Sequence, residues 1–272
     1  MSTTPLEIKG SRAKGATDMG FRNIARNGFL PILANDLAVI SDIHSNLHAL
    51  DAVLADIQSR GISNLLCLGD IVGYGAQPAE CVDRIRELGC TTIMGNHDSM
   101  VACGVDDFSE RVRPGIEWSR QQLSADQKSW LASLPLSLES EDYQAVHASL
   151  WQPETWRYLI TADEAQLHFR LQSKPACFIG HSHLPRLWVE GADERDETFG
   201  IEDVRKGKRH IVNAGSVGQP RDHEPMACYV IYSQARQEFR FQRVSYDVAG
   251  AQAAIIAAGL PASYARRLVM GR

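Results

Sequence analysis

Apolar residues along the middle of the chain follow two alternating patterns. Residues 37–42 form a short apolar run with β-branched residues at its centre, which is typical of a buried strand. Apolar positions then recur at helical spacing from Leu47 to Ile57, until Gly61 ends the pattern. A strand, a helix and a third strand follow at residues 64–69, 78–89 and 91–94. This order predicts a parallel sheet whose strands are joined by right-handed helical crossovers.

Residues 99–140 interrupt this alternation. Ser124 and Gln127 have the spacing of a capping box, which predicts that a helix begins there, and another helix is predicted over residues 116–123. We interpret residues 99–140 as a small helical cap insert.

The rest of the chain is rich in strand patterns. Thr161 and Glu164 form a second capping box, which opens a helix between two of these strands. The predicted strands lie at residues 144–146, 176–179, 187–189, 210–212, 228–232 and 239–244. One or two closing helices are predicted over residues 247–272, with a break at Gly259-Leu-Pro261. We interpret the charged stretch 191–209 as a solvated loop or hairpin tip.

Residues 1–36 differ in composition from the rest of the chain. Gly, Ser, Thr, Asn and basic residues dominate there, without a sustained period of either kind. We predict a flexible N-terminal extension over 1–36 and a single folded domain over 37–272. A mitochondrial-type presequence is the alternative, against which Glu7 and Asp18 count.

The overall composition narrows the class of protein. The 272 residues carry 28 Lys and Arg against 33 Asp and Glu, a formal net charge of −5, which gives no strong signal for binding nucleic acid or anionic lipid. No apolar run reaches the roughly 18–20 residues that span a bilayer. The six cysteines are scattered and contain no CxxC pair. We therefore expect reduced thiols and a cytoplasmic location.

Polar side chains with metal-binding chemistry follow five of the predicted strands. The segments are Asp42-Ile-His44, Gly69-Asp70, Gly95-Asn96-His97-Asp98, Val146-His147 and Gly180-His181-Ser-His183. Because ligands of α/β sheets bind at the carboxyl ends of the strands, we expect these side chains to converge on one edge. If Asp-x-His and His-x-His are extended, the strand period of two places both side chains of each pair on one face. Carboxylate, imidazole and amide groups are the ligands that divalent first-row metals prefer.

The number of candidate ligands exceeds what one ion requires. Seven residues qualify: Asp42, His44, Asp70, Asn96, His147, His181 and His183. Two ions that share a bridging carboxylate would use all of them. Two metals roughly 3.5–4 Å apart clamp the attacking and leaving oxygens of a displacement at phosphorus. The ligand number and type therefore predict a dinuclear site for phosphoester chemistry.

The order of these five elements resembles the calcineurin-like metallophosphoesterase superfamily. About 25 residues separate the first three elements, and the resemblance extends from about Val39 to Tyr246. It is strongest to the small bacterial and archaeal phosphoesterases, through residues 69–75 (GDIVGYG) and 213–221 (NAGSVGQPR). The resemblance implies a four-layer α/β/β/α sandwich, in which two mixed sheets pack face to face beneath outer helices.

The resemblance also implies roles for individual residues. Asp42, His44 and His183 would hold one ion; Asn96, His147 and His181 would hold the other; Asp70 would bridge them. A metal-bridging hydroxide would attack the phosphoester. His97 would lie over the phosphorus, as a donor to the phosphoryl oxygens or as a general acid to the leaving oxygen, and Asn96 would contribute to substrate binding. Mn²⁺, Fe and Zn²⁺ all suit this ligand set.

One position departs from the phosphoprotein phosphatases of the superfamily. They carry an Asp three residues after the bridging Asp, as partner of the catalytic His, and Gly73 stands there in this chain. Asp98 is the remaining candidate to orient His97, and we include it as a catalytic candidate. The departure argues against a Ser/Thr protein phosphatase.

The substrate is less well defined than the metal site. Phosphodiesters and phosphomonoesters both remain open, and a nucleotide is one candidate. Arg221 follows a glycine turn at 215–218 and would reach a phosphate, although the glycines would equally serve a tight bend. Trp151 and Trp156 follow His147, so that packing beneath the cap and stacking on substrate are both open. The four histidines at 48, 168, 210 and 223 are expected at the surface.

A different class of function remains as the alternative. A protein with this fold that had lost turnover would act as a metal-binding scaffold or interaction protein. All seven candidate ligands and His97 are present, which favours an enzyme. The oligomeric state has no signal in the sequence.

Overall fold

The computed structural model describes residues 36–106, 109–191, 201–203 and 207–272, of which 201–203 are described by their backbone alone. The predicted N-terminal extension therefore lies outside the described residues, except for Asp36. The strands are β1 (Leu37–Ile40), β2 (Asn64–Cys67), β3 (Thr91–Thr92), β4 (Ser137–Glu139), β5 (Tyr143–Val146), β6 (Ala176–Ile179), β7 (Arg186–Val189), β8 (Ile201–Asp203), β9 (His210–Asn213), β10 (Ala227–Ser233) and β11 (Glu238–Val244). The helices are α1 (Leu47–Ser59), α2 (Pro78–Leu88), α3 (Asn96–Ala102), α4 (Arg113–Gln122), α5 (Ala125–Ala132), α6 (Ala162–Phe169), α7 (Val248–Ala257) and α8 (Ala262–Met270).

The strands form two mixed sheets. The first has the order β3-β2-β1-β10-β11-β8, with β1, β2 and β3 parallel and β10 antiparallel to β1. The second has the order β4-β5-β6-β9-β7, with β5, β6 and β9 parallel. The parallel strands are central in the second sheet, whereas in the first sheet they run from the middle to the edge strand β3. The carboxyl ends of β1, β2, β3, β5 and β6 carry the five segments identified in the sequence.

The two sheets pack face to face. The side chains of β1 alternate between two buried clusters, as the strand period of two requires: Val39 lies between the sheets, and Ile40 lies beneath the helices. Phe178 on β6 contacts Tyr232 and Phe239 of the other sheet, with ring centroids 5.6 and 6.2 Å apart. Burial of these apolar rings holds the sheets together.

Helices cover the outer face of each sheet. Residues of α1 and α2 form the buried cluster over the first sheet, and Ala165 and Phe169 of α6 pack against Cys177 of the second. The predicted four-layer α/β/β/α sandwich of two mixed sheets is therefore confirmed. Both predicted capping boxes are present, since the Ser124 and Thr161 side chains accept from the backbone N–H three residues on.

The helices between residues 99 and 140 belong to the outer layer of the first sheet. Helices α4 and α5 pack against α2 and α3, and Ile116 and Leu131 join the same buried cluster as Ile40. The end of the segment, Ser137–Glu139, pairs with β5 as an edge strand. The boundaries of a separate cap insert stay a prediction.

Two of the four remaining histidines are not at the surface, contrary to our prediction. His168 and His210 are 2% and 0% exposed. His168 is on the inner face of α6, where its Nε2 lies 3.3 Å from the sulfur of Cys177. A single histidine inside a helical pattern gives no sign of which face it occupies, and an imidazole that finds one partner tolerates burial.

No helix in the described part of the chain is long and apolar enough to cross a membrane.

Candidate metal centre

The ten predicted site residues lie at the same edge of the sandwich, in the loops that follow β1, β2, β3, β5, β6 and β9. The seven candidate metal ligands are buried, with exposures of 7% or less. They are Asp42, His44, Asp70, Asn96, His147, His181 and His183. The convergence expected from the strand order is therefore present.

The backbone at these residues differs from the extended form that we expected. Asp42 and His44 have φ of +53° and +49°, and His181 and His183 have φ of +66° and +61°. The side chains of Asp42 and His44 do meet, but left-handed turns bring them together rather than the strand period, and His181 and His183 belong to different groups of ligands. Such φ values cost free energy for any residue with a Cβ, so they persist only where surrounding contacts impose them.

Loops from the second sheet hold the first of these turns in place. Val217 N–H donates to Ser41 O and Gly218 N–H donates to Asp42 O, both at 2.9 Å. A Cβ at Gly218 would lie 1.7 Å from the carbonyl oxygen of Ile43, so only glycine permits this approach. The glycine turn at 215–218 thus supports the Asp42 loop. This agrees with the simpler interpretation of these glycines, that they permit a tight bend.

One set of ligand atoms consists of Asp42, His44 and His183. Asp42 Oδ1 lies 3.2 Å from His183 Nε2 and 3.7 Å from His44 Nε2. The two imidazole nitrogens lie 3.0 Å apart. The other carboxylate oxygen, Asp42 Oδ2, accepts from the backbone N–H of His181 at 3.0 Å. Only Oδ1 is therefore directed at the imidazoles.

A second set consists of Asp70, His147 and His181. Asp70 Oδ2 lies 3.4 Å from His147 Nε2, and also 3.6 Å from His44 Nε2 of the first set. Its other oxygen accepts from the backbone N–H of His97 at 2.8 Å. Asp70 therefore lies between the two sets, where a bridging ligand would be needed. Both sets have the spacing of residues that can hold a metal ion.

Three of the histidines are held in one tautomer by the backbone. The Nδ1–H groups of His44, His147 and His183 donate to the carbonyls of residues 72, 68 and 219, at 3.1, 2.7 and 2.5 Å. With the proton on Nδ1, each Nε2 of a neutral ring presents a lone pair toward the carboxylates. Two such lone pairs 3.0 Å apart, at His44 and His183, repel each other unless a cation lies between them.

The remaining acceptors at this site have no hydrogen-bond donor in the described part of the chain. Asp42 Oδ1, Asn96 Oδ1, His147 Nε2 and His181 Nε2 are all buried there without a partner. Leaving a buried acceptor unpaired costs free energy, and polar atoms that converge in this way are satisfied by a bound cation. The donor set therefore fits divalent metal ions.

The charges of the two carboxylates also suit the binding of divalent metal ions. Burial alone would raise the pKa of Asp42 and of Asp70, but the surrounding imidazoles hold both pKa values well below their usual range. Burial opposes the charged form of His147 too, but Asp70 and Asp42 raise its pKa to about 9. Both carboxylates are therefore ionised at neutral pH, and protons on the imidazoles compete with metal.

Asp98 does not orient His97, contrary to our interpretation. One of its oxygens accepts from the backbone N–H groups of Ile71 and Val72, and the other accepts from that of Gly95. His97 Nδ1 has no hydrogen-bond partner, and a Cβ at residue 73 would lie 2.2 Å from it. Gly73 thus provides the space for the ring, and Asp98 fastens the Asp70 loop to the start of α3.

Replacing Asp98 by Ala should therefore lower stability. It leaves three buried N–H groups without an acceptor, which costs on the order of 3 kcal/mol in the free energy of unfolding. Urea denaturation measures this. Asp126→Ala is the matched control, since Asp126 is an exposed residue near the start of α5; its change should stay within about 0.5 kcal/mol. A small effect at Asp98 would contradict the fastening role.

A cavity of about 560 Å³ opens over the ligands. His97 is at its wall, and burial lowers the pKa of this imidazole to about 3. Arg221 also lines it; the guanidinium donates to Gln219 Oε1 at 3.2 Å and lies 3.5 Å from the hydroxyl of Tyr74. Among the described residues, its Nε is buried without a partner. An arginine that faces a cavity without a carboxylate partner is suited to bind an anion.

Two aromatic residues at the cavity were not identified from the sequence. The Tyr74 ring lies 4.9 Å from the rings of both His44 and His97. The Tyr158 ring stacks on His181 at a centroid distance of 4.1 Å. Tyr74 is within the GDIVGYG segment, which is the one signal that could have identified it. Tyr158 has no such signal, because it follows the short helical turn Pro153–Thr155.

Comparison with known proteins agrees with this site. A sequence profile of the calcineurin-like phosphoesterase superfamily domain matches residues 36–236. The chain belongs to this superfamily. The match includes every described strand except β11 and all the segments that carry the candidate ligands.

Individual relatives cover nearly the whole described domain. The chain is 39% identical over 247 residues to the uncharacterized protein MJ0912 of Methanocaldococcus jannaschii, covering 87% of this chain and 98% of that protein. It is 38% identical to a metallophosphoesterase from Sphaerobacter thermophilus, whose crystal structure matches with a TM-score of 0.80 over 88% of this chain and 100% of that one. The hypothetical protein PH1004 of Pyrococcus horikoshii shares the fold, with a TM-score of 0.73, 19% identity, and coverage of 87% and 98%.

Proposed function

We propose that the protein is a dinuclear-metal phosphoesterase that hydrolyses a small phosphodiester or phosphomonoester. The observation that carries this proposal is the convergence of two ionised carboxylates with buried imidazole and amide acceptors that lack donors. Two divalent ions, when bound, would supply positive charge to hold the phosphoryl group and to lower the pKa of an attacking water. Mn²⁺, Fe and Zn²⁺ all suit the ligands.

The residues around the ions have separate tasks in this proposal. Asp42, His44 and His183 hold one ion, Asn96, His147 and His181 hold the other, and Asp70 bridges them. The backbone carbonyls on the Nδ1 side keep the imidazoles directed inward, as carbonyls beside metal-binding histidines commonly do. His97 lies at the wall of the cavity and donates to the phosphoryl or leaving oxygen.

Arg221 would bind a phosphoryl oxygen that the ions do not. Its guanidinium lies near enough to lower the pKa of His97 and His183, after the larger effect of burial. Tyr74 lies between this guanidinium and the His97 ring. Its hydroxyl lies 3.5 Å from the guanidinium and would help to position Arg221.

Hydrolysis of bis-p-nitrophenyl phosphate and p-nitrophenyl phosphate tests the proposal. The purified protein should cleave at least one of them with Mn²⁺, Fe²⁺ or Zn²⁺, and chelation should abolish the activity. If no metal supports cleavage of either compound above the Asp70→Asn background, the catalytically silent scaffold becomes the better description. The ratio of the two rates separates diesterase from monoesterase preference, and a nucleotide panel then narrows the substrate.

A further inference from the structure

A second cavity, of about 670 Å³, lies beside the candidate metal centre. Its walls include Trp151, Tyr158, Leu167 and Leu171, and it runs along α6 and the loop before it. Its volume is within the range of cavities that bind drug-sized ligands. We call it the α6 groove.

The apolar walls of the α6 groove are exposed to an unusual degree. Ten large hydrophobic side chains are exposed in the described part of the chain, and four of them line this groove. Trp151 is 52% and Leu167 is 58% exposed. The indole N–H of Trp151 donates to Gln152 Oε1 at 3.1 Å. Within the described residues, the indole ring makes no contact with another aromatic ring. Such a concentration of exposed apolar side chains marks a binding site.

Tyr158 connects the α6 groove to the metal centre. Its side chain lines both cavities, and its ring stacks on the candidate ligand His181 at 4.1 Å with an interplanar angle of 25°. The two cavities therefore adjoin at Tyr158, so that a molecule whose phosphate lies at the metal centre can extend past this ring into the groove. This adjacency favours an occupant that is part of the substrate.

The charges of the groove agree with an anionic substrate. Arg157 and Arg170 both line it, and both are exposed without an ion pair in the described part of the chain. Glu164 also lines it, but its carboxylate accepts from the backbone N–H groups of Ile160 and Thr161 at the start of α6. The groove therefore combines an open aromatic face with unpaired positive charge.

We propose that the α6 groove binds a planar aromatic ester group of the substrate, with Trp151 as its stacking surface. This inference rests on the proposed function and narrows it to phosphoesters that carry an aryl or heteroaryl group. An aliphatic chain would gain from the leucines alone and would not need Trp151.

Two substrates that differ only in one ester group test this proposal. Wild type and Trp151→Ala are compared on benzyl phosphate and on cyclohexylmethyl phosphate, or on their methyl diesters, whose leaving groups are primary alcohols of similar size that differ in aromaticity. The variant should lose about tenfold in kcat/KM on the benzyl ester and less than about twofold on the cyclohexylmethyl ester, because stacking on one aromatic ring typically contributes that much. Leu167→Ala should act in the same direction. Leu88→Ala is its matched control, on an exposed leucine of α2 outside the groove.

Binding without turnover separates this inference from the proposed function. Calorimetric titration of the Mn²⁺-loaded protein uses the non-hydrolysable methylenephosphonate analogues of adenosine 5′-monophosphate and of ribose 5-phosphate, which differ in the base. The wild type should bind the nucleotide more tightly, and Trp151→Ala should remove the difference. Two outcomes would overturn the groove assignment, whether or not the protein is an active phosphoesterase. One is equal affinity of the wild type for both ligands; the other is an equal loss of affinity for both ligands in Trp151→Ala.

Discussion

Replacing Asp70 by Asn should reduce phosphoesterase activity by about a thousandfold or more, because metal charge contributes several kcal/mol to such reactions. Asp70 Oδ2 is the atom that faces both His44 and His147. An amide NH₂ at that place donates hydrogen bonds and cannot bridge two cations. We therefore expect the purified variant to bind fewer than two metal ions per chain, as measured by inductively coupled plasma mass spectrometry.

Asn is the appropriate replacement because it preserves the rest of the loop. The oxygen that accepts from the His97 backbone N–H is retained, and Asn tolerates the positive φ of +51° at this position as Asp does. Circular dichroism and the midpoint of thermal unfolding of the metal-free proteins should therefore stay close to those of the wild type. A variant that keeps two ions and more than about a tenth of the activity would contradict the bridging role.

The order of strands and helices could be predicted from the sequence because it depends on local signals. The apolar run at 37–42 and the helical period from Leu47 correspond to β1 and α1. Gly89 ends α2 in the left-handed conformation, as expected of a glycine that follows a helical pattern. The set of side chains at the strand ends followed from the same information, since parallel strands share a carboxyl edge.

The contacts of single side chains could not be predicted in this way. Asp98 follows His97 directly, yet its carboxylate turns toward the loop after β2, since three backbone N–H groups converge there. The left-handed backbone at Asp42 and His44 depends on hydrogen bonds from residues 217 and 218 of another strand connection. The contacts of residues 217 and 218 join segments more than 170 positions apart, and those of Asp98 with Ile71 and Val72 span 27 and 26 positions, so no local pattern contains them.

The substrate side of the site illustrates the same limit on local patterns. Trp151 had two open interpretations in the sequence, packing or stacking, and its exposure of 52% favours stacking. Tyr158 belongs to no periodic pattern and to no motif. Its proposed role depends on the fold, which places its ring on His181. Cavity walls are assembled from separate segments, whereas metal ligands keep recognisable short motifs.

Replacing His97 by Ala should lower kcat by about a hundredfold to a thousandfold, the usual contribution of one positioned hydrogen-bond donor to developing charge. The change should leave the fold intact. The backbone N–H that binds Asp70 is unaffected, and alanine favours the helix in which residue 97 lies. His97 also lies in a third candidate ligand group, with His44 and Asp70. Two ions per chain in His97→Ala would place it outside the ligands, and loss of one ion would make it a ligand.

The leaving group distinguishes the two roles that His97 can have. A general acid matters most when the leaving oxygen is basic, so His97→Ala should then affect an alkyl leaving group far more than p-nitrophenol. A donor to the phosphoryl oxygens should affect both leaving groups by a similar factor, because it stabilises charge that every ester develops.

The residue at position 73 bears on the choice between these two roles. The phosphoprotein phosphatases carry a carboxylate at this position, which pairs with the histidine. Gly73 offers no such partner, so Nδ1 of His97 is unpaired among the described residues. Burial lowers the pKa of His97 to about 3, so the imidazole is neutral. A neutral imidazole is a weak proton donor, so we expect similar losses for both leaving groups.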